Sequence, residues 1–283
     1  MTMKVIKTAA EMQAWSSARI REGIRIGLVP TMGFLHEGHL SLIRRAKQES
    51  ETVVVSIYVN PAQFAPGEDL DRYPRDFERD RQLCRQEGVD AVFYPSEMYT
   101  PDHRTYVVTD ELSKVLCGVS RPDHFRGVTT IVAKLFNSVK PDMAVFGQKD
   151  AQQALIIKRM TEDLNFDIKI IISPIVRESD GLAVSSRNKY LTPEQRSQAA
   201  VLYKSLLEAE QMYEHGNMDP DLIKGKMREI ISEQPLAKID YIELTDADTL
   251  TRPEPGKNDV LAALAVFFDK TRLIDNTILK KRR

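Results

Sequence analysis

Thr52-Val53-Val54-Val55-Ser56-Ile57-Tyr58-Val59 is β-branched almost throughout. A strand of that kind is buried on both sides, which calls for a parallel sheet with helices over each face. The sequence around it repeats the theme. Ile24, Ile26 and Leu28 read as a short buried strand bounded by Gly23 and Pro30, and Ala91 to Tyr94, Met143 to Phe146 and Ile168 to Ile172 are further apolar runs. Helical patterns lie between them, from Leu40 to about Glu49, Arg75 to Glu87 and Val128 to Val139, then along Ala154, Leu155, Ile157 and Met160. Thr8 and Glu11 match a capping box for a leading helix through Met12, Trp15, Ala18 and Ile20 that should stop near Gly23. Strand and helix alternate, which predicts an α/β fold with a Rossmann-like, doubly wound parallel sheet.

Beyond Pro174 the pattern changes. Thr192-Pro193-Glu194-Gln195 supplies an N-cap, an N1 proline and an N3 glutamine for one long helix toward Gly216, and a second helix covers Asp221 to Ser232. Two strands follow, Ile239 to Leu244 and Val260 to Phe267, separated by a turn at Arg252 to Lys257. The expectation is a domain over residues 1–177 and a smaller α+β C-terminal lid domain over 178–283, with the boundary in the Arg177 to Ser185 region.

Lys and Arg number 40 against 41 Asp and Glu, so the charge balance points to neither a nucleic-acid nor a membrane-surface partner. Cys84 and Cys117 form no CxxC pair, which argues against a disulfide framework. Residues 1–7 lack a secretory-type apolar run, and Val260 to Phe268 is too short to span a bilayer. The expected compartment is the cytoplasm, with Lys280 to Arg283 a solvated tail.

The chemistry gathers where strands turn into helices. In Val29-Pro30-Thr31-Met32-Gly33-Phe34-Leu35-His36-Glu37-Gly38-His39, two histidines sit at a helix entrance, where unpaired N–H groups and the helix dipole favour an anion. A cap or core role is the plainer reading for one histidine, and less so for two around Gly38. No Cys or carboxylate cluster lies nearby in sequence, so no zinc site is expected. Asn60-Pro61-Ala62-Gln63-Phe64 presents amides suited to a small polar ligand, although such residues also make ordinary turns. Gly147-Gln148-Lys149-Asp150 places a cation where the dipole disfavours it, which a bound anion would offset. The alternative is an exposed lysine paired with Asp150. Gln153 lies one turn on, and Val184-Ser185-Ser186-Arg187-Asn188 offers hydroxyls and a guanidinium to a polyphosphate. In sheets of this kind ligands bind beyond the strands' carboxyl ends, so the turns at His36, Asn60 and Gly147 are expected to share one cleft. Together these groups supply what nucleotidyl transfer needs, which is mostly positioning and electrostatic stabilisation. A nucleotide-binding regulatory module leaves Lys149 and the Ser185 to Arg187 loop without a task.

The ordered set of motifs resembles the pantothenate synthetase family, class I nucleotidylyltransferase-like ligases that join pantoate to β-alanine with ATP. It comprises Pro30 to Gly33 with His36 to His39, Val59 to Phe64, Tyr73-Pro74-Arg75, Arg121-Pro122-Asp123-His124-Phe125-Arg126-Gly127, Phe146 to Gln153 and Ser185 to Asn188, across nearly the whole chain. The resemblance implies an ATP site made by Met32, Gly33, Phe34, Leu35, His36, Glu37, Gly38, His39, Gly147, Gln148, Lys149, Asp150, Val176, Val184, Ser185, Ser186 and Arg187. His39, His36 and Lys149 would be catalytic, Gln63 and Gln153 would hold pantoate, and Gln63 would later touch β-alanine. It further implies a pantoyl-adenylate intermediate, Mg²⁺ accompanying ATP with no metal ligands assigned on the protein, and a homodimer. A relative that adenylylates a phosphorylated precursor would want more basic residues in its acceptor pocket than Asn60, Gln63 and Gln153 provide.

Overall fold

The computed structural model describes residues 3–254 and 256–280. The chain divides into two compact units, one of Met1–Lys114, Gly118–Gln148 and Gln152–Pro174, the other of Val115–Cys117, Lys149–Ala151 and Ile175–Arg283.

In the N-terminal unit the order is β1 (Lys4–Ile6), α1 (Ala9–Arg21), β2 (Ile26–Thr31), α2 (Glu37–Glu49), β3 (Thr52–Ile57), α3 (Phe77–Gln86) and β4 (Ala91–Phe93). The short α4 (Cys117–Ser120), α5 (His124–Val139), β5 (Met143–Gly147), α6 (Ala151–Asp163) and β6 (Lys169–Ser173) follow. All six strands are parallel, in the order β1-β4-β3-β2-β5-β6. Val53, Val55 and Val29 pack on Leu42, Ile43 and Ala46 of α2, and burying Leu42 and Ile43 is worth about 1.5–3 kcal/mol each. Ile26, Leu28 and Val54 point to the opposite face by the strand period and are equally buried. The double winding read from the β-branched runs is therefore present.

The chain reverses direction across the sheet between β2 and β5, where a crevice opens in doubly wound folds. β2 pairs with β3 from Ile26 to Thr31 but with β5 only at Gly27 and Leu28. Pro30 explains part of this. The Thr31 carbonyl accepts from Tyr58 on the β3 side and the Ile26 carbonyl from Asp142 on the β5 side. Pro30 therefore turns its missing N–H toward β5, where the ladder has already ended. The proline lies inside the strand instead of bounding it, and the two carboxyl ends that lead to His36 and Gly147 are left unpaired with each other.

Two further local features depart from expectation in this unit. β1 carries no signal in the sequence, because three residues at the sheet edge are too few to show a period. α5 begins at His124, a turn before Val128, which draws the Arg121 to Gly127 motif into a helix start. Gly127 is required there, since a Cβ would stand 2.2 Å from the Ala62 carbonyl oxygen.

In the C-terminal unit α7 (Pro193–Ala199), α8 (Val201–Glu214) and α9 (Pro220–Ser232) precede β7 (Ala237–Asp246), β8 (Val260–Phe268) and β9 (Thr271–Leu279). The capping box at Thr192 and Gln195 forms, but the single long helix is broken at Ala200 into α7 and α8. The sheet is antiparallel with β8 central, which explains the apolar run from Val260. β9 escapes the sequence reading because Asp275-Asn276 at its middle reads as a turn. Both are buried, with Asp275 held by Arg177 at 2.6 Å and 3.0 Å, and Asn276 Nδ2 donating to the Lys149 carbonyl at 2.9 Å. Lys280 pairs with Asp259 at 2.8 Å, and the rest of the expected solvated tail lies outside the described residues.

Candidate active site

His36 is the N-cap of α2 and His39 its N3 residue. The His36 backbone N–H donates to His39 Nδ1 at 3.3 Å, and the rings stand 4.0 Å apart with planes tilted 31°. With Nδ1 accepting, a neutral His39 carries its proton on Nε2. The bend ahead of the helix is tight, with Gly33 at φ +84° and Phe34 at φ +52°. Asp80 of α3, 1% exposed, accepts from the N–H groups of Phe34 and Leu35 at 2.7 Å each. Burial pushes its carboxyl above the ordinary value, against the pull of those two N–H groups.

After β3, Asn60 caps a single turn of 3-10 helix over Pro61–Gln63. Its Nδ2 donates to Gln63 Oε1 at 2.9 Å and to the Gly127 carbonyl at 3.0 Å. With its carbonyl oxygen engaged, Gln63 presents its NH₂ as a donor, the polarity a carboxylate or hydroxyl needs. The Gln63 backbone carbonyl accepts from Arg121 Nη2 at 3.0 Å and from His124 Nδ1 at 2.9 Å, so His124 carries a proton on Nδ1. Arg121 also grips Glu68 through two contacts of 2.7 Å. Burial disfavours ionising Glu68, but the hydrogen bond and charge of Arg121 outweigh it and hold the carboxyl below its ordinary value. Gln153 lies half-buried in the first turn of α6, after Gly147 at the end of β5.

Gln148, Lys149 and Asp150 form a 3-10 turn leading into α6. Lys149 groups with the C-terminal unit, where Asn276 holds its carbonyl. Its ammonium is 3.7 Å from Asp150, a loose pairing for two groups so close in sequence. In the same unit the Val184 N–H donates to the Val176 carbonyl at 2.9 Å, and Arg177 bridges to Ala183, making a small hairpin. Ser185 then caps the 3-10 turn Ser186–Tyr190 by accepting from the Arg187 N–H at 3.3 Å. Among the described residues no three His, Cys, Asp or Glu side chains converge as a metal site, and no helix is long and apolar enough to cross a membrane.

A histidine pair at a helix entrance, an amide donor held in place by its neighbours and a Ser-Ser-Arg turn are a specific combination. The model of the Pantoate-beta-alanine ligase family matches residues 4–278. The chain belongs to the pantoate–β-alanine ligase family. It is similar to the pantothenate synthetase of Thermotoga petrophila, with 56% identity over 98% of this chain and 100% of the relative. The Moorella thermoacetica enzyme is 54% identical over 98% of this chain and 99% of the relative. Among solved structures, pantothenate synthetase from Thermus thermophilus superposes with a TM-score of 0.90 at 43% identity, covering 97% of this chain and 99% of that one. Pantoate–β-alanine ligase from Francisella tularensis, complexed with β-γ ATP and β-alanine, gives 0.81 at 32% identity over 98% of each chain.

Three residues that contact the histidine bend or Gln63 carry no signal of those contacts in the sequence. Asp80 is one charged residue among several in Phe77-Glu78-Arg79-Asp80-Arg81, and only its burial distinguishes it. Arg121 and His124 stand in a recognised ligase motif, but their grip on the Gln63 carbonyl is a contact between residues about 60 positions apart in the chain.

Proposed function

We propose that this chain condenses pantoate with β-alanine, using ATP, to form pantothenate through a pantoyl-adenylate intermediate. A pantoate carboxylate oxygen attacks the α-phosphorus, the bond to the β-phosphate oxygen breaks, and pyrophosphate leaves. The β-alanine amine then attacks the acyl carbon, the bond to the phosphate oxygen breaks, AMP leaves, and the nitrogen's extra proton passes to solvent. The split has a physical reason: a carboxylate resists amines because its oxygen leaves poorly, whereas AMP leaves readily.

The observation that carries this reading is the His36 N–H donating to His39 Nδ1. A neutral His39 then carries its proton on Nε2, at the positive end of α2, and in this reading that N–H meets the charge developing on the phosphate oxygens. In this reading Met32 to His39 with Gly147 to Asp150, Val176 and Val184 to Arg187 hold ATP. His39, His36 and Lys149 stabilise the transferring phosphate. Gln63 donates its NH₂ to pantoate and later to β-alanine, and Gln153 is its partner on pantoate. Arg121 touches the Gln63 carbonyl but is already neutralised by Glu68. That leaves the acceptor pocket suited to a small hydroxy acid and ill suited to a phosphorylated one.

Glu37 and Asp150 are the carboxylates of the proposed ATP set, and no three His, Cys, Asp or Glu side chains converge among the described residues. That fits a Mg²⁺ that arrives on the ATP phosphates and keeps water in its remaining positions. Bound in that way the ion offsets charge on the phosphate oxygens. We place the enzyme in the cytoplasm as a homodimer, for which light scattering in solution is the test of assembly.

The deciding assay follows ATP. AMP and pyrophosphate should appear only when pantoate is present, and pantothenate only once β-alanine is added. Formation of ADP would overturn the adenylate route.

A further inference from the structure

The bend Gly33-Phe34-Leu35 is strained and yet held. Phe34 adopts φ +52°, a left-handed conformation that a residue with a bulky side chain rarely takes. Such a conformation persists only where its surroundings impose it. Asp80 supplies them, accepting from both the Phe34 and the Leu35 N–H at 2.7 Å while itself 1% exposed. Arg79 completes the arrangement, with its guanidinium 5.0 Å from the centre of the Phe34 ring and 3.7 Å from the Asp80 carboxylate. On the loop side Gly33 leaves just enough room, since a Cβ there would stand 3.0 Å from both Asp80 Oδ2 and Ile57 Cγ2.

Two N–H donors converge on one side chain, and this selects for a carboxylate. An ionised carboxyl accepts at both oxygens and brings no donor of its own, whereas an amide must turn its NH₂ toward one of the two N–H groups. Hiding a charge so completely is costly. The loop that receives it leads directly into His36 and α2.

We propose that Asp80 is a positioning residue of the nucleotide site, its carboxylate holding the Gly33-Phe34-Leu35 bend that aims His36, His39 and the start of α2 at the phosphates of ATP. The proposal rests on the assignment of ATP to this loop. In this role Asp80 acts through the backbone N–H groups of Phe34 and Leu35.

The test compares the whole wild-type chain with Asp80→Asn by calorimetric ATP binding, by separate KM values for ATP and pantoate, and by amide hydrogen exchange. Loss of one charge-assisted hydrogen bond should weaken ATP binding by about tenfold. The pantoate KM should stay near the wild-type value. Exchange should accelerate at Phe34 and Leu35 but not in α5 or β3. If Asp80→Asn does not fold, Asp80→Glu keeps a carboxylate but shifts its reach to the Phe34 and Leu35 N–H groups, and the same split is expected in smaller measure. Unchanged ATP affinity, or equal losses for ATP and pantoate, would overturn the proposal. Should the wild-type chain bind ATP but release no AMP with pantoate, the reaction assignment fails while the ATP-binding comparison still decides the role of Asp80.

Discussion

The backbone N–H of His36 donates to Nδ1 of His39 at 3.3 Å, so the first turn of α2 orients its own catalytic candidate. The spacing of three residues makes this possible, because N-cap and N3 positions face each other at a helix start. The histidine that caps the helix is thereby coupled to the histidine proposed to face the phosphate.

His39→Ala is expected to lower kcat by about 10²–10³, the usual cost of removing one aimed donor. His39→Asn retains an acceptor for the His36 N–H and should keep thermal stability closer to wild type while losing kcat to a similar degree. Steady-state rates and thermal melts on the same samples separate the two effects, and a near-normal rate in either variant removes His39 from the role.

Lys149→Ala should likewise cut kcat by about 10²–10³ through lost stabilisation of developing phosphate charge. The carbonyl of Lys149, not its side chain, bonds to Asn276, so the local backbone is expected to survive the change. Single-turnover AMP formation measures the chemical step directly. A variant slowed only in product release would argue against the assignment.

Gln153→Ala should raise the pantoate KM by about tenfold and the ATP KM much less, consistent with loss of one hydrogen bond to a charged group. Titrating each substrate at saturating levels of the other gives the comparison. Equal losses would place Gln153 elsewhere in the site.

Arg121→Met should destabilise the fold by about 1–3 kcal/mol near neutral pH, because it strands a half-buried Glu68 and removes one of the donors to the Gln63 carbonyl. Glu68 is held below its ordinary value, burial being outweighed by Arg121. A lowered folded-state value gives stability that is present above the unfolded value, about 4.3, and disappears as pH falls through the folded one. Denaturant midpoints of wild type and variant should therefore differ at pH 7 and draw together below about pH 4.

The parallel sheet was legible because Thr52 to Val59 is β-branched almost throughout, a property that depends on each residue and its immediate neighbours. Thr8 with Glu11 and Thr192 with Gln195 marked helix starts for the same reason. β9 was hidden because its buried pair, Asp275 and Asn276, is made tolerable by Arg177 and by the Lys149 carbonyl, partners far away in sequence. The histidine turn, Gln63 and the Ser185 turn stand out as candidates by their residue types alone. Asp80, Arg121 and His124 do not, since each works through a distant backbone group.

By itself the sequence determined the alternation of strand and helix and the capped starts of α1 and α7, and it offered candidate side chains for phosphate and carboxylate. These follow from local periodicity and intrinsic chemistry. Only the tertiary structure decided that β2 and β5 part after Leu28, that Asp80 holds the bend at Phe34, and that Arg121 and His124 fix the Gln63 carbonyl. Those are matters of which long-range partner satisfies a buried polar group, and no local pattern encodes that choice.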